Sequence, residues 1–204
     1  RMWKANLSDP EEIRIQSEKR IVAAVLADTH VIDRVGRLHP HLIPLIKNSM
    51  ADLIIHAGDI SHPRVLEQLG ELAPVYSVRG NRDLYFLRSL PVMQRLNLNG
   101  ARVVVTHGHL GVAGYWRDKL ENTLHGYQFA RYYRRLHSLA VNADVVIFGH
   151  SHHAENQLRE HVLFFNPGSC SVAEKPDYRL SFGVISVSPQ AEVKAEIVWL
   201  EGHP

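Results

Sequence analysis

Residues 143–152 read ADVVIFGHSH, an apolar strand-like run that ends directly in Gly149-His150-Ser151-His152. Four further clusters follow apolar runs in the same way: Asp28-Thr29-His30 after IVAAVLA, Gly58-Asp59 after ADLIIHA, Gly80-Asn81-Arg82-Asp83 after PVYSV, and Thr106-His107-Gly108-His109 after ARVVV. In an open α/β sheet, the loops at the carboxyl ends of the strands converge on one crevice. The chain therefore predicts a single site to which all five clusters contribute.

Seven side chains of this site are of types that bind metal ions: Asp28, His30, Asp59, Asn81, His107, His150 and His152. Carboxylate, amide and imidazole ligands together suit two hard-to-borderline divalent cations held close to each other. Taken alone, the Asp and Asn clusters are equally typical of turns and helix caps. Two His-x-His pairs at strand ends are hard to explain by packing, so the complete set favours a metal site.

Apolar runs and period-two alternation predict strands at 21–27, 53–56, 75–78, 92–98, 102–106, 145–148, 156–159, 162–166, 181–187 and 192–200. Helices are expected at 34–47, 63–69 and within 115–141, and Asn99-Gly100 is expected to close a hairpin. The fold class is therefore α/β, a four-layer α-β-β-α sandwich of two mixed sheets. Residues 1–20 are expected to form an N-terminal arm with a helix start at 8–12. Residues 21–204 are expected to form one domain with a helical insertion around 110–141.

The composition narrows the function classes. The 204 residues are 45% hydrophobic and 22% charged with a formal net charge of +2, which gives no global polyanion-binding signature. No apolar run approaches the length of a membrane span, and the N-terminal residues lack the layout of a signal peptide. The one cysteine, Cys170, fits a reducing compartment. We therefore expect a cytoplasmic protein without a membrane partner.

The order of these motifs, followed by Asn166-Pro167-Gly168-Ser169, resembles the calcineurin-like metallophosphoesterase superfamily. The compact length resembles its small single-domain branch, which contains phosphodiesterases and the metal-poor retromer scaffold subunit. The resemblance implies a first metal held by Asp28, His30, Asp59 and His152. It implies a second metal held by Asp59, Asn81, His107 and His150. Asp59 would then bridge the two ions, and a metal-bridging hydroxide would be the nucleophile.

The resemblance implies two divalent ions, for which manganese is the first candidate and zinc, iron and nickel are alternatives. Many family members carry a histidine at the position of Arg82, where it is thought to protonate the leaving group. Arginine is a poor proton donor at neutral pH, but its planar fork can bind phosphate oxygens. We therefore expect Arg82 to bind phosphate, Asp83 to orient Arg82, and His109 to be an alternative proton donor.

The segment 110–141 is longer than the small branch requires. Phe129, Tyr132, Tyr133, Leu136, Leu139 and Ala140 form an apolar helical face, and Arg131, Arg134 and Arg135 fall on the other side. Two interpretations stay open: a solvated basic face over a packed helix, or a lid for a nucleotide-like anionic ligand.

The expected function is hydrolysis of phosphate esters, with phosphodiesters favoured over phosphomonoesters. One alternative is a phosphomonoesterase acting on a nucleotide or phosphoprotein. Another is a protein-interaction scaffold on the same fold, although that scaffold has lost ligands and all seven are present here. The sequence leaves the physiological substrate and the oligomeric state open.

Overall fold

The computed structural model describes residues 11–109, 120–173 and 179–200. Within these ranges the strands are β1 (Glu12–Ile15), β2 (Ile21–Leu26), β3 (Leu53–His56), β4 (Val75–Ser77), β5 (Met93–Leu98), β6 (Ala101–Thr106), β7 (Val145–Ile147), β8 (Glu155–Arg159), β9 (Val162–Asn166), β10 (Ser181–Val187) and β11 (Val193–Trp199). The helices are α1 (Leu42–Asn48), α2 (Pro63–Gly70) and α3 (Phe129–Leu136), followed by a short 3₁₀ helix (His137–Leu139). Residues 120–125 are also helical.

Two mixed sheets are built from these strands. The six-stranded sheet has the order β1-β5-β6-β7-β9-β8, and the five-stranded sheet has the order β11-β10-β2-β3-β4. Strands β2, β3 and β4 pair in parallel, as do β6, β7 and β9. The carboxyl ends of β2, β3 and β4 therefore share one edge of one sheet, and those of β6 and β7 share one edge of the other.

The packing follows the alternation of side chains along the strands. In β2, Ala23 and Val25 lie in the core between the sheets, with Val103 and Val105 of the other sheet. The alternate residues of β2 pack with α1 and α2, whereas those of β6 and β7 pack with Tyr132 of α3. The α-β-β-α order of layers is thereby confirmed.

The first helix begins later than the sequence predicts. The expected helix at 34–47 is wrong over its first half, because α1 begins at Leu42, just after Pro40 and His41. Pro40 disfavours helical geometry in the residue before it. Pro44 is accommodated in the first turn of α1, where a backbone N–H has no intrahelical partner in any case.

The segment before residue 21 contributes a strand. The helix start expected at 8–12 is not continued, because β1 begins at Glu12 and pairs in parallel with β5 from Glu12↔Arg95 to Ile15↔Leu98. Residues 1–10 lie outside the described residues. Ile13 and Ile15 pack against the core between the sheets, so this part of the expected arm is a strand of the larger sheet.

The hairpin and the helical segment follow the predicted pattern. Asn99 and Gly100, with φ of 48° and 94°, close the β5–β6 hairpin, as expected of an Asn-Gly turn. The predicted apolar face of the helical segment packs as a unit with Phe148 and Phe164. Residues 110–119 of the predicted insertion lie outside the described residues. In the part of the chain that is described, no helix combines the length and apolarity that crossing a membrane requires.

Candidate metal centre

The loops after β2 and β3 are joined by backbone hydrogen bonds beyond the ends of both strands. The N–H of Asp28 donates to the carbonyl of Gly58 at 2.9 Å, and the N–H of His30 donates to the carbonyl of Asp59 at 3.1 Å. The pairing of β2 with β3 thus continues into the loops and places Asp28, His30 and Asp59 side by side.

A first group of donor atoms converges between Asp28, His30 and His152. The Nε2 atoms of the two histidines lie 3.1 Å apart, and Oδ1 of Asp28 lies 3.4 Å from His152 Nε2 and 3.9 Å from His30 Nε2. All three residues are buried, and Oδ1 of Asp28 accepts no hydrogen bond. A buried carboxylate oxygen facing two imidazole nitrogens has the chemistry of a cation site.

A second group converges between Asp59, His107 and Asn81. His107 Nε2 lies 3.4 Å from Asp59 Oδ1 and 3.2 Å from Asn81 Oδ1. The other oxygen of Asp59, Oδ2, lies 3.7 Å from His30 Nε2. Asp59 therefore lies between the two groups and presents one oxygen to each.

Asp28 and His150 link the groups further. A ligand atom of Asp28 lies close to those of Asp59 and His107, all within 4.8 Å of one another. The backbone N–H of His150 donates to Asp28 Oδ2 at 3.0 Å, and its ring lies 5.2 Å from that of His107. The structure thus brings the seven predicted ligands to one place.

Hydrogen bonds at Nδ1 orient the rings of two histidines. Nδ1 of His30 lies 3.2 Å from a carboxylate oxygen of Asp33, and Nδ1 of His107 lies 2.8 Å from the carbonyl of Ala57. Both partners can only accept, so each Nδ1 carries the hydrogen. Each Nε2 then points towards the converging groups and is the nitrogen that a metal ion would bind in place of a proton.

The buried charges shift one another's pKa values. Burial opposes the charged form of His107, but Asp59 and then Asp28 outweigh it and raise the pKa of His107 to about 10. Burial would raise the pKa of Asp59, but His107 outweighs it and lowers that pKa. The two carboxylates thus stabilise positive charge between them, which is what a divalent cation supplies.

Five of the predicted ligands have left-handed backbone conformations, which residues other than glycine seldom adopt. The φ values are 55° for Asp28, 48° for His30, 55° for Asp59, 72° for His150 and 56° for His152. Such strain persists only where the surrounding structure enforces it, and it clusters at functional sites. Position 58 requires glycine for a steric reason, because a Cβ there would lie 2.7 Å from Gly80 N and 2.8 Å from His107 Nδ1.

Asp83 has a different role from the one expected. Its carboxylate accepts hydrogen bonds from the backbone N–H groups of Asp59 at 3.0 Å, Ser61 at 2.8 Å and Gly80 at 2.6 Å. It therefore fixes the loops rather than orienting Arg82. Arg82 forms an ion pair with Asp33, at 3.7 Å. The backbone N–H of Arg82 donates to Asp59 Oδ1 at 2.8 Å.

Two residues that support the candidate metal centre were not predicted from the sequence. Asp33 orients His30, as described above. His56 is buried, accepts a hydrogen bond from Gly58 N–H at 3.2 Å, and lies 3.2 Å from the hydroxyl of Thr29. Burial lowers the pKa of His56 to about 3, so the ring is neutral. A histidine at the end of the apolar run LIIH was the signal that could have identified it.

The Asn-Pro-Gly-Ser motif ties the last strands to the centre. Asn166 Nδ2 donates to the carbonyl of Gly149 at 3.1 Å and to Ser151 Oγ at 3.0 Å. Ser169 Oγ donates to the carbonyl of Asp28 at 2.8 Å. The motif therefore holds two of the ligand-bearing loops and supplies no predicted ligand itself.

His109 lies at the edge of the centre. Its ring lies 5.3 Å from that of His107 and 5.8 Å from that of His150, and its buried Nδ1 makes no hydrogen bond. Burial, followed by the nearby His107 and His150, lowers the pKa of His109 to about 4. The ring is thus neutral at pH 7, and a donor role needs substrate charge to raise this pKa.

The helical segment contacts this edge through one arginine. Arg135 Nη1 donates to the carbonyl of Gly108, between His107 and His109, at 3.1 Å. Arg131 pairs with Glu121 at 3.1 Å, whereas Arg134 is exposed. The interpretation of all three arginines as one solvated face is therefore wrong for Arg131 and Arg135.

Comparison with known proteins gives one family. Residues 21–189 match the family model described as the calcineurin-like phosphoesterase superfamily domain. A protein of Methanothermobacter thermautotrophicus named "Probable metallophosphoesterase" is 30% identical over 157 residues, covering 77% of this chain and 81% of that protein. A protein of Methanocaldococcus jannaschii with the same description is 29% identical over 181 residues, covering 89% of this chain and 82% of that protein.

The fold of this chain also resembles solved structures. Vacuolar protein sorting 29 from Cryptosporidium parvum superposes with a TM-score of 0.63 and 14% sequence identity. The superposition covers 89% of this chain and 98% of that one. At this identity the likeness shows a shared fold.

Proposed function

The chain belongs to the calcineurin-like phosphoesterase superfamily, and from this membership we propose that it is a phosphodiesterase that works with two divalent cations. The observation that carries the proposal is the position of Asp59. Its Oδ1 lies 3.4 Å from His107 Nε2 and its Oδ2 lies 3.7 Å from His30 Nε2, so one carboxylate can serve two ions.

The proposed ligands form two overlapping sets. Asp28, His30, Asp59 and His152 would hold one cation, and Asp59, Asn81, His107 and His150 would hold the other. Oδ1 of Asp28, which accepts no hydrogen bond, and the hydrogen bonds that turn Nε2 of His30 and His107 towards the centre support this assignment. When bound, two cations supply the charge that acidifies a water molecule and neutralises the phosphoryl oxygens. Manganese is the first candidate, with zinc, iron and nickel as alternatives.

The protein's own residues would position the ester. Arg82 is tied to Asp59 through its backbone, which leaves its partly exposed guanidinium to bind phosphate oxygens. His109 would supply a proton to the leaving group from the edge of the centre. A diester is favoured because the family's usual donor position holds Arg82, and a diester with a good leaving group depends least on protonation. We place this activity in the cytoplasm, which suits the free, buried thiol of Cys170.

The test is reconstitution of metal-free protein with each candidate metal, followed by assays on bis(4-nitrophenyl) phosphate and 4-nitrophenyl phosphate. We expect two metals per chain and faster turnover of the diester. Asp59→Asn should lower both the metal content and the turnover. Asp144→Asn, which removes the same charge from a surface pair with Arg102, is the matched control and should change neither.

The outcomes separate the alternatives. Preference for the monoester would replace the proposal with a phosphomonoesterase. Tight binding of two metals without turnover of any phosphate ester would favour a scaffold function. Full metal content in Asp59→Asn would contradict the shared role of Asp59.

A further inference from the structure

Three consecutive apolar side chains lie on the surface immediately after the Asn81-Arg82-Asp83 cluster. Leu84 is 51% exposed, Tyr85 is 91% exposed and Phe86 is 64% exposed. Single exposed apolar residues are common on protein surfaces, but a run of three is unfavourable unless the surface meets a ligand. We call these three residues the 84–86 platform.

The platform is fixed at both ends, so its exposure is a property of the fold. On one side, Asp83 is held by three backbone N–H groups, as described above. On the other side, the buried Leu87 donates its N–H to the carbonyl of Asp83 at 2.9 Å. Arg79 Nη1 also donates to the carbonyl of Arg88 at 2.9 Å, which joins the residues before and after the platform. The hydrogen bonds and the buried Leu87 thus hold both ends of the platform.

The platform lies beside the candidate metal centre. The backbone N–H of Arg82 is bonded to Asp59 Oδ1 at 2.8 Å. Tyr85 follows three residues later, so its Cα lies at most about 11 Å from that of Arg82. The ring of Phe86 lies 5.3 Å from that of His62, next to Ser61, whose N–H is held by Asp83. An ester group attached to a phosphate near Asp59 can therefore reach the two aromatic rings.

A further exposed apolar residue lies on the neighbouring loop. Ile32 is 57% exposed and has a φ of 75°, which is strained for a β-branched residue. The ion pair of Arg82 with Asp33 at 3.7 Å joins this loop to the start of the platform. Arg82, which is proposed to bind phosphate, is thus flanked by apolar surface on both loops.

We propose that Tyr85 and Phe86 are specificity-determining residues that stack against a flat ring carried by the ester arm that stays on the phosphate during hydrolysis. This proposal rests on the proposed phosphodiesterase function and adds the substrate class to it. Base and aryl rings share the required chemistry, since aromatic side chains stack on either. Arg82 would bind the phosphate next to the stacked ring.

The experiment uses three diesters that release the same 4-nitrophenolate and differ only in the other arm. These are thymidine 5′-(4-nitrophenyl phosphate), bis(4-nitrophenyl) phosphate and methyl 4-nitrophenyl phosphate. All three carry the ring of the leaving group, but only the thymidine and bis(4-nitrophenyl) esters, called here the ring-bearing esters, also carry a ring on the retained arm. In the metal-loaded full chain, Tyr85→Ala should lower kcat/KM on these two esters relative to the methyl ester by about 5-fold or more. Tyr85→Phe should restore most of the difference, because the ring is retained.

Leu158→Ala is the matched control, since Leu158 is a 65% exposed apolar residue on β8, outside the candidate centre. It should leave all three rates unchanged. A loss with Tyr85→Ala on both ring-bearing esters supports a platform for any flat ring, and a loss on the thymidine ester alone supports a platform for a base. Equal losses on all three esters, or no loss on any, would overturn the proposal.

Direct binding separates this proposal from the proposed function. Calorimetric titration with thymidine 5′-phosphate, phenyl phosphate and methyl phosphate needs no turnover. We expect the two ring-bearing phosphates to bind more tightly than methyl phosphate to the wild-type chain, and this advantage to fall in Tyr85→Ala. If no ester is hydrolysed but the advantage persists, the phosphodiesterase proposal fails and the platform stands. If esters are hydrolysed without any such advantage, the platform fails alone.

Discussion

The carboxylate of Asp83 accepts a hydrogen bond from the backbone N–H of Asp59 at 3.0 Å and so fixes the backbone of Asp59. The same carboxylate accepts the N–H of Gly80, so one buried side chain joins the loop after β3 to the loop after β4. Asp59 can therefore keep both carboxylate oxygens directed at the neighbouring histidines.

Asp83→Asn should destabilise the protein strongly. The amide replaces one acceptor oxygen with a donor, which would face a backbone N–H in a buried site. We expect a loss of about 2–4 kcal/mol in the free energy of unfolding of the metal-free protein, measured in urea. Asp144→Asn at the surface should cost no more than about 1 kcal/mol. Equal stability of Asp83→Asn and wild type would show that Asp83 does not fix these loops.

Arg82→Ala should raise KM for small diesters by about 10-fold while metal content is preserved. Alanine keeps the backbone N–H that donates to Asp59, so only the guanidinium is lost. Steady-state kinetics with elemental analysis test this expectation. Arg64→Ala, at an exposed position of α2, is the control for loss of positive charge. Unchanged KM and kcat in Arg82→Ala would reduce Arg82 to a turn residue.

His109→Ala should keep both metals and lower turnover by about 100-fold if His109 donates a proton. The loss should be larger for alkyl than for activated aryl leaving groups, because poor leaving groups depend on protonation. The exposed His125 provides a control substitution. A loss that is the same for every leaving group would indicate that His109 positions the substrate. Loss of a metal would mean that His109 is itself a ligand.

Arg135→Ala should lower turnover of small aryl diesters by about 10-fold, because it removes the donor to the carbonyl between His107 and His109. Arg134→Ala on the same helix should have no effect, since Arg134 is exposed. Kinetics of the two variants at equal metal content make the comparison. If both variants behave like wild type, the contact with Gly108 has no functional role.

His56 should make the stability of the metal-free protein depend on pH. Its folded pKa is about 3, whereas an unfolded histidine titrates near its ordinary pKa of 6.5. The unfolded chain therefore binds the proton first. The stability that neutral His56 contributes is full above pH 6.5 and is lost as the pH falls towards 3. At pH 5 the loss from this one group is about 2 kcal/mol.

Comparison with His56→Asn isolates this effect. Asparagine can still accept the N–H of Gly58 but does not titrate. The variant should be less stable than wild type at pH 8, and the difference should shrink as the pH falls to 5. Parallel stability curves for the two proteins in urea would contradict the expectation.

The sequence was sufficient to predict the seven converging side chains, because each follows an apolar run whose end fixes its position in a parallel sheet. The α-β-β-α sandwich could also be predicted, because the apolar runs mark the strands. The two faces of β2 then pack against different layers, as their alternating side chains show. The roles of Asp83 and Arg135 could not be predicted, since they depend on contacts between loops that no local pattern encodes. The start of α1 was missed because an apolar pattern continues through Pro40, where the backbone cannot follow it.

The bond from Ser169 to Asp28 joins residues 141 positions apart in the chain, and His30 meets His152 across 122 positions. A chain emerging from the ribosome therefore carries its first three ligands long before the residues that complete their surroundings have been synthesised. If the proposed ligands hold two cations, complete metal loading would follow synthesis of the loop that carries His150 and His152. Each cation would then act as a late cross-link between parts of the domain that are synthesised early and late. Without the cations, burial of the apolar core alone must offset the conformational entropy that is lost when these long loops close.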